Sequence, residues 1–128
     1  MVISKNSKKI IPFIFFFLIN ENIYAVNFQP IGRTTDHEHF VDYDSVNSRK
    51  KTVKILSNRF FRHPEGEKSY IGVVQFDCKK YKYRWKKITF YSGNMGSGRI
   101  LFTKKNVPGW IQIRKGSPEE INHKLVCR

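Results

Sequence analysis

The chain reads as an α+β protein: a small antiparallel β-sheet of about six strands with a C-terminal helix tied to a strand by a disulfide. Three features point there. Short runs alternate apolar and polar residues between clusters of Gly, Pro, Asn and Ser, the two-residue period of strands with one wet face. A helix start signal stands out only near the end, at Ser117. The two cysteines, Cys78 and Cys127, close one of the strand-like runs and that helix.

In chain order, "VNFQPIGRT" is extended, and Pro30 suits an edge or irregular strand because it offers no N–H to a ladder. "HFVDYDSV" is a short strand with Phe40 and Asp42 on one side and Val41 and Tyr43 on the other, entering a turn at "VNSRKKT". "TVKILSNRFF" sets Val53 and Ile55 against Lys54 and Leu56 and is rich in β-branched and aromatic residues. "RHPEGEK" is a loop by its Pro64 and Gly66. "SYIGVVQFDC" puts Tyr70, Gly72, Val74, Phe76 and Cys78 on one face and Ile71, Val73 and Gln75 on the other. "YKYRWKKITFYS" puts Tyr81, Tyr83 and Trp85 opposite Lys82, Arg84 and Lys86.

"FYSGNMGSGRI" carries Gly93, Gly96 and Gly98. A phosphate loop would open a helix, whose N-terminus faces the anion. Here "RILFT" is β-like and no Gly-Lys-Ser/Thr follows, so the stretch is a turn with positive φ at several positions. "RILFTKK" and "NVPGWIQI" supply the last strands. In "SPEEINHKLVC", Ser117 is the N-cap, Pro118 begins the helix and Glu120 stands three residues after the cap, with acidic groups at the positive end of the dipole. Ile121, Leu125 and Val126 form the expected apolar face.

Residues 1–25 have the order of a secretory signal: Lys5, Lys8 and Lys9, the apolar run "IIPFIFFFLI", then "NENIYA" ending on a small residue. The apolar run is about half the roughly 20 residues a membrane-spanning helix needs, which disfavours the rival reading of an uncleaved anchor. Cleavage after Ala25 would leave residues 26–128 as one domain. The leader holds three lysines and Glu21, so the remainder keeps about +12 of the chain's net +14. With no lipobox cysteine at the cut, the expected destination is the periplasm, the medium or the outer surface, without a lipid anchor and with no transmembrane segment in the mature form. In that oxidising setting an even cysteine count reads as one disulfide. The rival, two free thiols or a redox pair, lacks a C-x-x-C. Closing a loop of 49 positions stabilises by about 4 kcal/mol in the chain-entropy picture.

For chemistry, "TDHEHF" sets His37 and His39 two apart, able to share a strand face and a metal, against the alternative of a solvated surface pair. A hydrolase would need a nucleophile, a base and an orienting group. Both cysteines are committed and no G-x-S-x-G is present. The chain is therefore read as non-enzymatic, with no catalytic residue, metal or cofactor assigned. The most tangible functional feature is "CKKYKYRWKK", where Lys79, Lys80, Lys82, Arg84, Lys86 and Lys87 are the candidate binding residues. Basic residues interleaved with aromatics suit single-stranded nucleic acid in a cytosolic protein. The leader argues against that partner and for anionic glycans, anionic lipids or acidic host proteins. The competing reading is a solvated face produced by a lysine-rich composition.

"HFVDYDSV", "KSYIGVVQFDC", "FYSGNMGSG", "VPGWIQIRKGSPEE" and "LVC", in that order, resemble the bacterial surface-adhesin protein E family across the whole mature chain. The resemblance implies an antiparallel sheet with a disulfide-tied C-terminal helix. It also implies a cell-adhesion protein binding host extracellular-matrix and serum proteins such as vitronectin, laminin and plasminogen. The missing lipobox sets this chain apart and leaves an alternative, a periplasmic structural or envelope accessory with no host ligand. An exposed strand edge could also pair two copies as a homodimer.

Overall fold

A computed structural model describes residues 27–128; the leader assigned to residues 1–25 lies outside the described residues. The elements are β1 (Phe28–Arg33), β2 (His37–Asn47), β3 (Thr52–Arg59), β4 (Ser69–Asp77), β5 (Lys82–Tyr91), β6 (Ile100–Lys105), β7 (Ile111–Gln112) and α1 (Pro118–Val126). Strands β1 to β6 form an antiparallel meander in which each lies beside its neighbour in sequence. β5 is long enough to pair with two strands on its outer edge: β6 along residues 87–91, and β7 at Lys82 and Tyr83. Pro30 does sit on an edge strand, beside a register shift.

The two faces of the sheet are covered differently. On the first, Val41, Val53, Ile55, Val74 and Phe76 meet Ile113 and Val126, and α1 packs across them. Val126 is fully buried, worth about 1.5–3 kcal/mol of apolar transfer. Cys78, just past β4, is bonded to Cys127, the C-cap of α1, with Cα atoms 5.7 Å apart. The helix begins as its sequence requires: the Ser117 side chain accepts from the Glu120 amide at 3.3 Å. The Glu120 carboxylate accepts from the Gly116 amide at 3.2 Å and from the Tyr81 hydroxyl.

On the second face, one register row carries Phe40, Leu56 and Ile71 across β2, β3 and β4. The glycine turn folds back over Leu56 and Ile71 through a tight turn at Asn94–Gly96, in which Met95 is left-handed at φ 56°. Gly96 at φ +73° lies so close to Ile71 that a Cβ would come within 2.5 Å of its Cδ1. Ser69 locks the turn by donating to the Gly93 carbonyl at 2.6 Å and accepting from the Gly96 amide at 2.8 Å. Asn58 accepts from the Met95 amide at 2.8 Å. The stretch is thus a turn, and also a plug for a second small core.

Three expectations need correction. β2 runs 11 residues rather than a short strand, and both Phe40 and Val41 are buried because each of its faces is covered. β3 stops at Arg59, leaving Phe60 and Phe61 exposed. In α1, Ile121 is 40% exposed while Asn122 is 3% exposed. Glu120 held by Tyr81 and Cys127 held by Cys78 fix the helix rotation, so Asn122 and Val126, four apart, face the sheet.

Candidate binding surface

In an up-and-down meander, alternate turns fall at the same end of the sheet. The β2–β3 turn, with Arg49, Lys50 and Lys51, therefore lies beside the β4–β5 turn, with Lys79 and Lys80. Both turns use a positive-φ residue, Lys51 at 60° and Tyr81 at 59°. They are stitched together: the Phe76 amide donates to the Lys51 carbonyl at 2.8 Å, and the Gln75 side-chain amide to the Lys50 carbonyl at 3.1 Å. Arg84 completes the arrangement. Its Nε donates to Gln75 Oε1 at 2.9 Å, and its guanidinium lies 4.4 Å from the Trp110 ring centroid. Together Arg49, Lys50, Lys51, Lys79, Arg84 and Trp110, with Asp77 among them, wall a shallow groove of about 450 Å³.

A second basic cluster lies farther along the face opposite α1. One register row runs Asp42, Lys54, Val73, Lys87, Lys105 across β2 to β6, with Asp42 facing Lys54 beyond ion-pair distance. Lys87 and Lys105 are directly opposed, an arrangement that costs stability because like charges face each other across one strand spacing. The register shift between Val73 and Val74 leaves Lys86 as the extra residue of β5, and it shares a depression with Lys54 and Val73. Among the described residues the one ion pair is Arg33–Glu38 at 3.8 Å, so no lysine or arginine of either cluster is neutralised by a carboxylate within 4 Å.

The six candidate residues are thus divided. Lys79 and Arg84 join the groove; Lys86 and Lys87 join the mid-face cluster. Lys80 is exposed in the turn, its amide donating to Asp77 Oδ1 at 3.1 Å, and Lys82 sits opposite Asp77 outside the groove. Arg49, Lys50, Lys51, Lys54, Lys105 and Trp110 escaped the sequence reading. The usable signal was topological: two basic turns at even positions of a meander share an end. Tyr83 and Trp85 pack against the core beneath α1, so the aromatic that accompanies the basic groups is Trp110.

The histidine pair is half-buried rather than solvated. His39 is hydrogen-bonded through Nδ1 to Ser57 Oγ at 2.8 Å and through Nε2 to Thr34 Oγ1 at 3.0 Å, which uses both of its potential ligand atoms. Burial lowers the pKa of both rings, and His39 lowers that of His37 further. Among the described residues the only three-residue group with metal-ligand chemistry is Cys78, His123 and Cys127, whose two sulfurs are already bonded to each other.

Among the described residues no helix is long and apolar enough to cross a membrane. A family model described as surface-adhesin protein E matches residues 28–128. No curated protein and no solved structure matches the chain.

Proposed function

The chain belongs to the surface-adhesin protein E family, and from that premise we propose that it is an exported, non-enzymatic binding protein that engages polyanionic partners through its basic face. The family description supports a binding protein at or beyond the cell surface. The excess of cations supports the choice of face: one cluster holds lysines opposite each other, and the carboxylates nearby, Asp77 in the groove and Asp42 opposite Lys54, lie beyond ion-pair distance of the basic groups among the described residues. Like charges placed together cost folding energy, and an anionic partner offsets that cost. The partners that fit are anionic glycans and the acidic or glycan-bearing segments of matrix and serum proteins such as laminin and vitronectin. Trp110, 40% exposed and stacked on Arg84, supplies an apolar contact beside the charge. Residues 1–25 would act as the leader, and residues 26–128 as the exported domain.

The test is binding of the exported form to immobilised heparin, laminin and vitronectin at low and physiological salt. Saturable binding that weakens with salt, and that falls in R84E and in K54E/K87E, supports the reading. Absence of binding at low ionic strength refutes it. Cell fractionation with an intact mass of the exported form reports where the chain is cut and where it resides.

A further inference from the structure

On the helix side of the sheet, away from the basic face, a cavity of about 320 Å³ opens between the start of α1, the segment leading into it and the β1–β2 turn. Its walls include Thr34, His39, Tyr83, Gln112, Arg114 and Glu119. Two of these carry full and opposite charge. Arg114 and Glu119 line one cavity yet lie farther apart than an ion pair, since Arg33–Glu38 is the one such pair among the described residues. Glu119 is half-buried and turned to the sheet: its charge adds to burial in pushing Tyr83 up to about 12, and it opposes the fall in the His39 pKa. Glu119 thus reaches the Tyr83 side chain on the cavity wall while Arg114 stands on the same wall beyond ion-pair distance, so neither charge is neutralised by the other.

The remaining walls are already satisfied. His39 is fixed by Ser57 and Thr34, and the Gln112 amide donates to the Tyr81 carbonyl at 2.9 Å. What the cavity offers a ligand is therefore one anion and one cation at separate positions, with the Tyr83 ring in the same wall. Its volume of about 320 Å³ lies at the lower end of the roughly 300–1,000 Å³ of ligand clefts, room for a small molecule up to the size of a dipeptide rather than a folded protein segment.

We propose that this cavity binds a small zwitterion, an α-amino acid or a short peptide, with its ammonium at Glu119 beside the Tyr83 ring and its carboxylate at Arg114. Charge-assisted contacts at both ends supply the affinity, and the presence of both groups in one cavity selects ligands that carry both charges. The site is independent of the polyanion surface, which lies on the other face.

The experiment is amide NMR of the oxidised exported protein titrated with glycine, a pool of common α-amino acids and dialanine, with acetate and methylammonium as half-ligands. Saturable shifts are expected at the β1–β2 turn, Tyr83 and the first turn of α1, with the amino-acid and dialanine arms separating the two ligand sizes. The half-ligands should bind about tenfold or more weakly. R114Q and E119Q should each weaken binding about tenfold, whereas K115Q, next to Arg114 but outside the cavity, should not. Should E119Q fail to fold, E119D keeps the helix start and the charge but shortens the reach, and is expected to weaken binding as well. No saturable shift at tens of millimolar ligand, acetate binding as tightly as glycine, or wild-type affinity in both Glu119 variants would overturn the proposal.

Discussion

Arg84 holds Gln75 through its Nε and Trp110 through its planar face, while Gln75 holds the Lys50 carbonyl. One side chain thereby fixes the relation between two basic turns and the exposed indole. Lysine cannot substitute, because it lacks both the planar surface and the second donor direction. We expect R84K to keep the net charge yet lose several-fold in heparin affinity, read by surface plasmon resonance; unchanged affinity would mean that only total charge matters. The histidines make a separate prediction. His37 and His39 have pKa values lowered from 6.5, by burial first, so folding favours their neutral forms. Stability from these rings is complete above about pH 6.5 and is lost as pH falls through and below that value. The melting temperature should therefore drop between pH 7.5 and 5.5, and the drop should flatten in H37N/H39N. A flat wild-type profile, or an equal slope in the variant, would contradict this.

The glycine turn and the terminal helix are the two elements that lid the sheet, and each hangs on a local feature. Gly96 combines a positive φ with close approach to Ile71, so G96A meets both backbone strain and overpacking. We expect a loss of about 1–3 kcal/mol by denaturant titration, and a loss below half a kcal/mol would show that the turn does not clamp Leu56 and Ile71. The helix has nine residues, too few to persist alone in water. Removing the cross-link in C78S/C127S should cost about 2–4 kcal/mol and speed hydrogen exchange in α1 before β3 and β4. Equal protection across all three would mean that packing of Val126 alone retains the helix. Much of this was legible beforehand. The Ser117 cap, the cysteine pair and the alternation in β4 are local signals, and the structure carries each of them. The rotation of α1 was not, because Ile121 and Asn122 trade places through contacts made to Tyr81 and Cys78, far away in sequence.

Across the whole molecule, the meander decides which charges meet. Lysines on "CKKYKYRWKK" form one run in sequence, but alternation, a bulge and a turn send Lys79, Lys86 and Lys87 to two clusters, joined by Arg49, Lys50, Lys51, Lys54 and Lys105 from other strands and turns, and leave Lys80 and Lys82 outside both. A reading confined to one strand finds half of such a surface, since register and bulge positions depend on pairing partners. Among the described residues β1 and β6 are the edges of the meander, and β6 exposes Ile100 and Phe102. The most direct measurement of the proposed function is heparin affinity of the exported protein as a function of salt, with K54Q/K87Q/K105Q as the comparison. Each bound lysine releases counterions, so log affinity should fall linearly with log salt, and the triple variant should be shallower by roughly two to three in slope. Identical slopes for wild type and variant would show that the Lys54–Lys87–Lys105 row does not contact the polyanion.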